Sequence, residues 1–227
     1  MFKAVIFDFD GVIWNSPDIY LDIRKKYLKD NYNVSLKKED LALNLATPTK
    51  EFVEYINKKY KLSLDLEKYK KVKFKMFKEK ASILKINLGV LDLLKDLKKN
   101  NIKIALSSSN EKVVIIKYLT KLKIIKYFDE IISSEDVKRH KPFPDCFIKA
   151  SKKLKIFPKD CIAFEDAPLG VKAINSAKMF SIAIITKFTN KKTFKDFNPN
   201  LIINSLKNIN YFKLVEIYEK SNFKNKK

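Results

Sequence analysis

Two aspartates, Asp8 and Asp10, follow directly on the strand-like segment Lys3–Phe7, and Gly11 comes next. Carboxylates so close to a buried strand are costly to desolvate unless a cation holds them. Because side chains alternate along an extended strand, Asp8 and Asp10 point to the same side and can face one substrate. Such a pair suits a nucleophile beside a general acid and base, and Gly11 permits a sharp turn out of a crowded site.

Polar residues follow three further strand-like segments in the same way. Ser107–Asn110 (SSSN) opens a predicted helix, Lys141-Pro142 lies within KRHKPFPD, and Glu165-Asp166 follows CIAF. In an open parallel sheet, ligands bind at the carboxyl ends of the strands. Hydroxyl and amide groups at a helix N-terminus suit a phosphate. Clustered carboxylates suit a hard divalent cation such as Mg²⁺.

A sheet must bring these polar residues together, and the sequence predicts one. Nearly continuous apolar runs separated by helical patterns are typical of parallel strands that are covered on both faces. The predicted strands are Lys3–Phe7, Ile102–Leu106, Glu130–Ser133, Cys161–Phe164, Ser181–Ile185 and the more weakly patterned Leu201–Ile203. Their alternation with helices predicts an α/β fold with a doubly wound, Rossmann-like parallel sheet.

Two of the intervening helices have a readable apolar face. The first is predicted from leucines at every third position and ends at Asn100-Asn101; these are Leu91, Leu94 and Leu97. The second is predicted from the apolar positions Val113, Ile116, Tyr118 and Leu119. Both faces are expected to pack against the sheet.

The interval between Trp14 and Leu88 has no convincing strand pattern. Its apolar residues recur at helical spacing in three groups. The groups are Tyr20, Ile23, Tyr27 and Leu28, then Phe52, Val53, Tyr55 and Ile56, then Tyr69, Val72, Met76 and Phe77. We interpret residues 15–87 as an inserted all-helical domain whose aromatic residues form its own core, with residues 1–14 and 88–227 forming the α/β domain.

The composition indicates a folded, cytoplasmic protein. Lys and Arg outnumber Asp and Glu by 48 to 26, a net charge of +22 that invites a nucleic-acid interpretation. Only Arg24 and Arg139 are arginines, the usual bidentate readers of phosphates and bases, and the lysines are spread along the chain. A nucleic acid is therefore not the expected partner. Cys146 and Cys161 form no metal-binding spacing, and no apolar window is long enough for a membrane span.

Four segments in order, DFDGV, LSSS, HKPFPD and FEDAPLGVKAI, resemble the four motifs of the haloacid dehalogenase superfamily. The resemblance covers essentially the whole chain and is greatest to the branch that contains β-phosphoglucomutase and phosphoglycolate phosphatase. Residues 15–87 resemble the helical cap domain that this superfamily inserts between its first and second motifs. The resemblance therefore implies a Rossmann-like core with an all-helical cap.

The resemblance also implies roles for the acidic residues. Asp8 would be the nucleophile that forms an aspartyl-phosphate, and Asp10 would be the general acid and base. Asp8, Asp166 and the backbone carbonyl of Asp10 would bind Mg²⁺. Glu165 would be an auxiliary ligand or would support the other ligands from outside.

Three residues are implied to hold the phosphoryl group. Ser108 would donate a hydrogen bond to its oxygens, with help from the backbone of Ser109. Lys141 would neutralise charge on the nucleophile and on the group being transferred, which is most of what phosphoryl transfer requires.

Departures from the β-phosphoglucomutase pattern favour hydrolysis. Asp10 argues against dehalogenation, in which no alkoxide needs a proton. Asn15-Ser16 stands where the mutase family usually has an aspartate followed by serine or threonine, Tyr20 stands where it has a histidine, and Thr49 stands where it has a phosphate-binding arginine. The adjacent Lys50 replaces an arginine only imperfectly. A mutase must clamp a second phosphate and exclude water, so these losses favour a phosphatase.

The resulting prediction is a Mg²⁺-dependent phosphatase that hydrolyses a small phosphorylated metabolite, such as a sugar phosphate or phosphoglycolate, through an aspartyl-phosphate. Two alternatives stay open: a sugar-phosphate mutase, and a lysine-rich protein associated with nucleic acid. The segments Leu45–Lys50 and Trp14–Tyr20 are expected to select the substrate. The protein is expected to be a monomer or a weak dimer and to have no membrane partner.

Overall fold

The computed structural model describes residues 1–15, 17–37, 40, 49–80 and 85–224. The predictions that concern Ser16 and Leu45–Pro48 fall outside these residues. The chain separates into two compact units, one formed by Met1–Trp14 with Ile86–Lys227 and the other by Asn15–Lys85.

The first unit is built on a parallel sheet that has six strands among the described residues. The strands are β1 (Ala4–Phe7), β2 (Lys103–Ser107), β3 (Glu130–Ile132), β4 (Cys161–Glu165), β5 (Phe180–Ile184) and β6 (Leu201–Ile203). Their order across the sheet is β3-β2-β1-β4-β5-β6, and every neighbouring pair is parallel. The order reverses at β1, so the predicted doubly wound, Rossmann-like sheet is confirmed.

The described helices fall into both units. They are α1 (Pro17–Tyr32), α2 (Thr49–Tyr60), α3 (Leu66–Lys80), α4 (Val90–Lys99), α5 (Lys112–Lys121), α6 (Asp145–Leu154), α7 (Pro168–Ser176) and α8 (Tyr211–Lys224). None of these helices is both long and apolar enough to cross a bilayer.

The sheet core explains why β1 is so apolar. Every residue of β1 is buried, as expected for a central strand between two neighbours. On one face Ala4 and Ile6 belong to a cluster with Phe147 of α6 and Ile174 of α7. Phe7 stacks on Phe164 of β4 with a ring-centroid distance of 5.2 Å.

The predicted apolar face of α5 is partly wrong. Val113 and Ile116 are 66% and 40% exposed, whereas Ile115, Tyr118 and Leu119 are buried. The sequence VVII offers apolar residues at four successive positions, so more than one face of the helix fits the pattern. Packing selects the face that contains Ile115.

The helical unit has a core of its own. Buried residues from α1, α2, α3 and the segments between them pack together; they are Tyr27, Leu28, Phe52, Val53, Ile56, Leu64 and Tyr69. Tyr69 lies between Tyr27 and Phe52, with ring-centroid distances of 4.9 Å and 5.6 Å. The prediction that aromatic residues form the core of this region is confirmed for these three rings.

A completely buried carboxylate, Asp40, ties this unit together. It accepts hydrogen bonds from the Lys37 backbone N–H at 2.7 Å and from the Tyr55 and Tyr60 hydroxyls at 2.6 Å and 2.5 Å. It also accepts one from Lys59 Nζ at 2.6 Å. Burial alone would raise the pKa of Asp40, but the hydrogen bonds from Lys59 and the tyrosines lower it well below its usual value.

We expect Asp40→Asn to lower the free energy of unfolding by about 2–4 kcal/mol at pH 7, because an amide nitrogen would face donors that now find an acceptor. A carboxylate with a depressed folded-state pKa stabilises above its unfolded pKa of about 3.9 and loses that contribution as pH falls below it. The difference between wild type and variant should therefore be constant above about pH 5 and shrink below about pH 4. Urea unfolding monitored by circular dichroism across this range measures it.

Asp30→Asn is the matched control in the same unit. Asp30 is half-exposed and pairs with Lys26 at 3.0 Å on the surface of α1, where such pairs add little. Its replacement should leave the unfolding curve nearly unchanged. An Asp40→Asn protein as stable as the Asp30→Asn protein at neutral pH would refute the role assigned to Asp40.

Candidate active site

The topology brings the first, second and fourth motifs to one edge of the sheet. Strand β1 lies between β2 and β4, and Phe7 is level with both Leu106 and Phe164. The residues that follow Phe7 in the chain therefore emerge beside those that follow Leu106 and Phe164. The Asp8 backbone N–H donates to the Phe164 carbonyl at 3.0 Å, which fixes where its side chain begins.

Lys141, from the third motif, joins two of the acidic residues. Its ammonium group donates to Asp8 Oδ1 and to Glu165 Oε1, the second at 2.6 Å. It also lies over the Phe147 ring, 5.1 Å from the centroid. Lys141 and both carboxylates are buried, and the peptide bond between Lys141 and Pro142 is cis. The cation that Asp8 was expected to need is present.

The charges in this group perturb one another strongly. Burial alone would lower the pKa of Lys141, but the carboxylates of Asp8 and Glu165 raise it well above its usual value. Burial raises the pKa of Asp8, and the Glu165 and Asp10 carboxylates raise it further, against the opposing effect of Lys141. The ammonium group of Lys141 therefore does not neutralise all the carboxylates that surround Asp8.

Asp166 completes the acidic cluster. Carboxylate oxygens of Asp8, Glu165 and Asp166 all lie within 4.8 Å of one another, and all three residues are buried. Burial raises the pKa of Asp166, and so do the carboxylates of Glu165, Asp8 and Asp10. Four residues from three distant segments of the chain, Asp8, Lys141 and the pair Glu165-Asp166, thus meet at the end of β1.

Two glycines leave room for these carboxylates. A Cβ atom on Gly11 would lie 2.0 Å from Asp166 Oδ2, and one on Gly170 would lie 1.7 Å from Glu165 Oε1. Gly11 also has a φ of 79°, which side-chain-bearing residues rarely adopt. Glycine is therefore required at position 11 both by the turn, as expected, and by the close approach of Asp166.

The donor set fits a hard divalent cation. Carboxylate oxygens are ligands that Mg²⁺ prefers, and a divalent charge would offset the burial and the mutual repulsion that raise the pKa values of Asp8 and Asp166. Asp8 and Asp166 would hold the ion, as the sequence predicts. The cluster that could bind it includes Glu165.

The hydrogen bonds of Glu165 bear on its two expected roles. Its Oε2 accepts from the backbone N–H groups of Asp166 at 2.7 Å and Ala167 at 2.9 Å. Its Oε1 accepts from Lys141 Nζ. Glu165 therefore supports Lys141 and the Asp166 backbone, and its place in the acidic cluster also suits direct metal binding.

Asp10 is held at both of its carboxylate oxygens. Trp14 Nε1 donates to Oδ1 at 3.0 Å, and Asn110 Nδ2 donates to Oδ2. Asp10 lies near enough to Asp8 and Asp166 to raise the pKa of each. The hydrogen bond from Asn110 also joins the second motif to the first.

The predicted phosphate-binding serines lie where β2 ends. The Ser108 backbone N–H donates to the Ile132 carbonyl at 2.9 Å, and its hydroxyl accepts from the Asn110 backbone N–H at 3.1 Å. Ser108 is buried and Ser109 half-buried. Their bonds to a phosphoryl group stay a prediction.

Sequence reasoning missed three residues that shape the site. Trp14 and Asn110 contact Asp10, as described above. The Asn87 side chain donates to the carbonyls of Gly11 at 2.7 Å and Val12 at 3.1 Å, and so fixes the loop after β1. Asn110 was noted only as part of SSSN, and nothing in the spacing of Trp14 or Asn87 indicated these contacts.

The site thus lies on a Rossmann-like α/β sheet, with a lysine-bound aspartate where the strand β1 ends. The chain belongs to the haloacid dehalogenase-like hydrolases, whose family model matches residues 5–184. The predicted family, and with it the prediction of an enzyme, is therefore confirmed.

Individual proteins agree with this assignment. The chain is 28% identical to a phosphorylated carbohydrates phosphatase of Thermotoga maritima over 77% of this chain and 81% of that protein. It is 32% identical to the β-phosphoglucomutase of Bacillus subtilis over 80% of this chain and 83% of that protein. The crystal structure of β-phosphoglucomutase from Clostridium difficile matches with a TM-score of 0.85 and 30% identity over 98% of this chain and 100% of that one. The predicted resemblance to the β-phosphoglucomutase branch is confirmed.

Proposed function

We propose that this protein is a Mg²⁺-dependent phosphatase that hydrolyses a small phosphorylated metabolite through an aspartyl-phosphate on Asp8. The observation that carries the proposal is the Lys141 ammonium shared by Asp8 and Glu165, beside the Asp166 carboxylate. The similarity to a phosphorylated carbohydrates phosphatase supports a sugar phosphate as the substrate class.

The proposed reaction has two steps. In the first, an Asp8 oxygen attacks phosphorus, the bond to the leaving oxygen breaks, and Asp10 gives that oxygen its proton. In the second, Asp10 takes a proton from water as the water attacks phosphorus and the bond to Asp8 breaks. The products are an alcohol and inorganic phosphate, and both aspartates return to their starting state.

Three further groups assist both steps. Lys141 neutralises charge on Asp8 and on the transferred group, and Ser108 and Ser109 bind its oxygens. Mg²⁺, held by Asp8, Asp166 and the Asp10 carbonyl, would supply further charge stabilisation at the phosphoryl oxygens.

A panel of phosphorylated metabolites, assayed for phosphate release with Mg²⁺, tests the proposal. Sugar monophosphates and phosphoglycolate should release phosphate, and addition of a chelator should stop the reaction. If no compound in the panel releases phosphate, the proposal is wrong.

A sugar-phosphate mutase is the second candidate, because two of the proteins compared above are β-phosphoglucomutases. The absence of the mutase family's histidine at Tyr20 and of its arginine at Thr49 favours the phosphatase. A different cation lies beside both positions. The Thr49 hydroxyl accepts a hydrogen bond from Lys73 Nζ at 2.6 Å, and the same ammonium lies 5.3 Å from the Tyr20 ring centroid. We propose that the helical unit acts as the cap and selects the substrate with such groups.

Nuclear magnetic resonance separates the two candidates. A sugar 1-phosphate incubated with the enzyme, with and without a sugar bisphosphate, should yield inorganic phosphate at a rate the bisphosphate does not raise. Formation of the 6-phosphate without phosphate release would favour the mutase. Nucleic-acid binding whose affinity falls steeply with salt would favour the alternative based on the lysine-rich surface.

We expect Mg²⁺ to raise the thermal stability of the protein and Asp166→Asn to abolish most of this effect. An ion that binds only the folded state adds about 2.7 kcal/mol at a concentration 100-fold above its Kd. Differential scanning calorimetry with and without Mg²⁺ measures the shift independently of activity.

Asp160→Asn is the control for this experiment, because Asp160 pairs with Lys3 at 3.9 Å outside the acidic cluster. It should keep the Mg²⁺-dependent shift. An equal shift in the Asp166→Asn and wild-type proteins would contradict the proposed metal site.

A further inference from the structure

The carboxylate of Asp10 is clamped by two side chains that the proposed reaction does not use. Trp14 Nε1 donates to one oxygen and Asn110 Nδ2 donates to the other. Both donors are neutral side chains, one an indole N–H and the other an amide N–H. Two bonds on two oxygens fix the rotation of the carboxylate plane, which a single bond would leave free.

Trp14 is a rigid support. Its side chain is completely buried and stacks on Phe9 and against Tyr118, with ring-centroid distances of 4.6 Å and 4.7 Å. Its carbonyl accepts a hydrogen bond from the Gly11 N–H at 2.9 Å. The indole is thus fixed by its rings and by the turn that carries Asp10.

The position of Asn110 is fixed by hydrogen bonds of its own backbone. Its backbone N–H donates to Ser108 Oγ at 3.1 Å, and its carbonyl accepts from the Ser134 N–H at 2.9 Å. The segment that contains the proposed phosphate-binding serines therefore also places the amide against Asp10. Trp14 follows Asp10 by four residues in the same loop, whereas Asn110 belongs to a segment 100 residues away that the sheet places beside it.

We infer that Trp14 and Asn110 are positioning residues that aim the Asp10 carboxyl group for proton transfer, an inference that rests on the proposed function. A carboxylate has about four lone-pair sites, so the hydrogen bonds from Trp14 and Asn110 orient it without occupying every site themselves. A general acid acts only from hydrogen-bond distance of the leaving oxygen, and small displacements of a catalytic group are costly. The clamp removes rotations of Asp10 that would carry its proton away from that oxygen.

The dependence of the reaction rate on the acidity of the leaving group tests this role. A poor leaving group such as phenolate needs the proton from Asp10 while its bond to phosphorus breaks, and a strongly acidic phenol leaves without it. The test compares kcat/KM for phenyl phosphate and 2,4-dinitrophenyl phosphate, because this ratio reports the steps up to loss of the phenol. The variants are Asn110→Ala and Trp14→Phe, with Asp10→Asn as the reference for complete loss of the acid.

Both variants should lose about 10- to 100-fold on phenyl phosphate and less than about 3-fold on the dinitrophenyl ester, since complete loss of general acid catalysis costs about 10²- to 10⁴-fold. Asn175→Ala is the matched control: Asn175 is also half-buried, and its amide donates to the Phe197 carbonyl at 2.7 Å in a region without catalytic residues. It should leave the ratio of the two substrates unchanged. If Trp14→Phe does not fold, Asn110→Ala carries the test.

The outcomes separate the inference from the proposed function. If the wild-type protein hydrolyses neither ester nor any metabolite, the proposed function fails, and this inference fails with it. If Asp10→Asn is selective for the dinitrophenyl ester but Asn110→Ala reduces both substrates equally or neither, only the positioning role is overturned. The role is supported when the variants share the selectivity of Asp10→Asn and melt no earlier than Asn175→Ala.

Discussion

Asp8→Asn is expected to reduce phosphate release by about 10⁴-fold or more, as removal of a catalytic nucleophile does. The asparagine amide cannot form the acyl phosphate that water hydrolyses in the second proposed step. Incubation with a ³²P-labelled substrate, followed by an acid quench, measures the covalent intermediate directly. The wild-type chain should carry label that hydroxylamine removes, and the Asp8→Asn chain should carry none.

The fold should survive this substitution, so the loss can be assigned to chemistry. Burial and the neighbouring Glu165 and Asp10 carboxylates raise the pKa of Asp8 in the folded state, although Lys141 opposes them. A carboxylate with a raised folded-state pKa costs stability as pH rises above its unfolded value of about 3.9. In metal-free buffer at pH 7, Asp8→Asn should therefore melt at or above the wild-type temperature.

Asp10→Asn is the informative partner of this variant. It retains the nucleophile but lacks the base for the second step, so label from an activated ester should accumulate on Asp8 and leave slowly. If Asp8→Asn releases phosphate at the wild-type rate, the nucleophile has been assigned to the wrong residue.

The sheet could be predicted from sequence because its strands are nearly unbroken apolar runs. Leu201–Ile203 was predicted with the observed limits, and Cys161–Phe164 is one residue short because β4 continues through the charged Glu165. The face of α5 could not be predicted, since all four successive residues from Val113 to Ile116 are β-branched and apolar. Only the packed structure decides between them.

The site divides in a similar way between residues that leave a sequence signal and residues that do not. Asp8 and Asp166 are charged residues just after apolar strands, where burial makes them conspicuous. Lys141 is singled out by the Lys-Pro sequence that resembles the third motif. Asn87 and Asn110 are neutral amides in loops, a common residue type there, and their partners lie 76 and 100 positions away in the sequence. Such contacts depend on the crossover connections of the fold, and no local pattern encodes them.

Asp40 shows the same limit in the helical unit. Its hydrogen-bond donors, on Tyr55, Lys59 and Tyr60, lie 15 to 20 positions further along the chain. In the sequence, an aspartate that follows lysines suggests a solvated surface instead. Among the described residues, the buried acidic side chains lie in two sites that differ in kind. Asp40 is fully hydrogen-bonded and its pKa is depressed, whereas Asp8 and Asp166 are crowded and their pKa values are raised. The hydrogen bonds of Asp40 stabilise the fold. The carboxylates of Asp8 and Asp166 repel each other and destabilise it, and a bound cation would reduce this repulsion.

Lys141→Met is expected to reduce kcat/KM by about 10³-fold, the upper range for loss of a single charge-stabilising donor. It removes the ammonium that holds Asp8 and Glu165, both of which are buried. Loss of one partner of a buried ion pair typically costs about 3–5 kcal/mol. The carboxylates left behind would have pKa values raised further, so the loss of stability should grow as pH rises from 5 to 8. Urea unfolding and steady-state kinetics measure the two effects.

Lys149→Met separates the role of Lys141 from the general effect of losing a lysine. Lys149 lies on the neighbouring helix α6 and pairs with Asp136 at 3.7 Å, and its side chain is 38% exposed. Its replacement should preserve kcat/KM and give a loss of stability that does not grow with pH, because no buried carboxylate is left unpaired. If Lys141→Met behaves like Lys149→Met in both measurements, Asp8 does not depend on this cation. The proposed charge neutralisation at phosphorus would then have to come from Mg²⁺ and the backbone of the Ser108 segment alone.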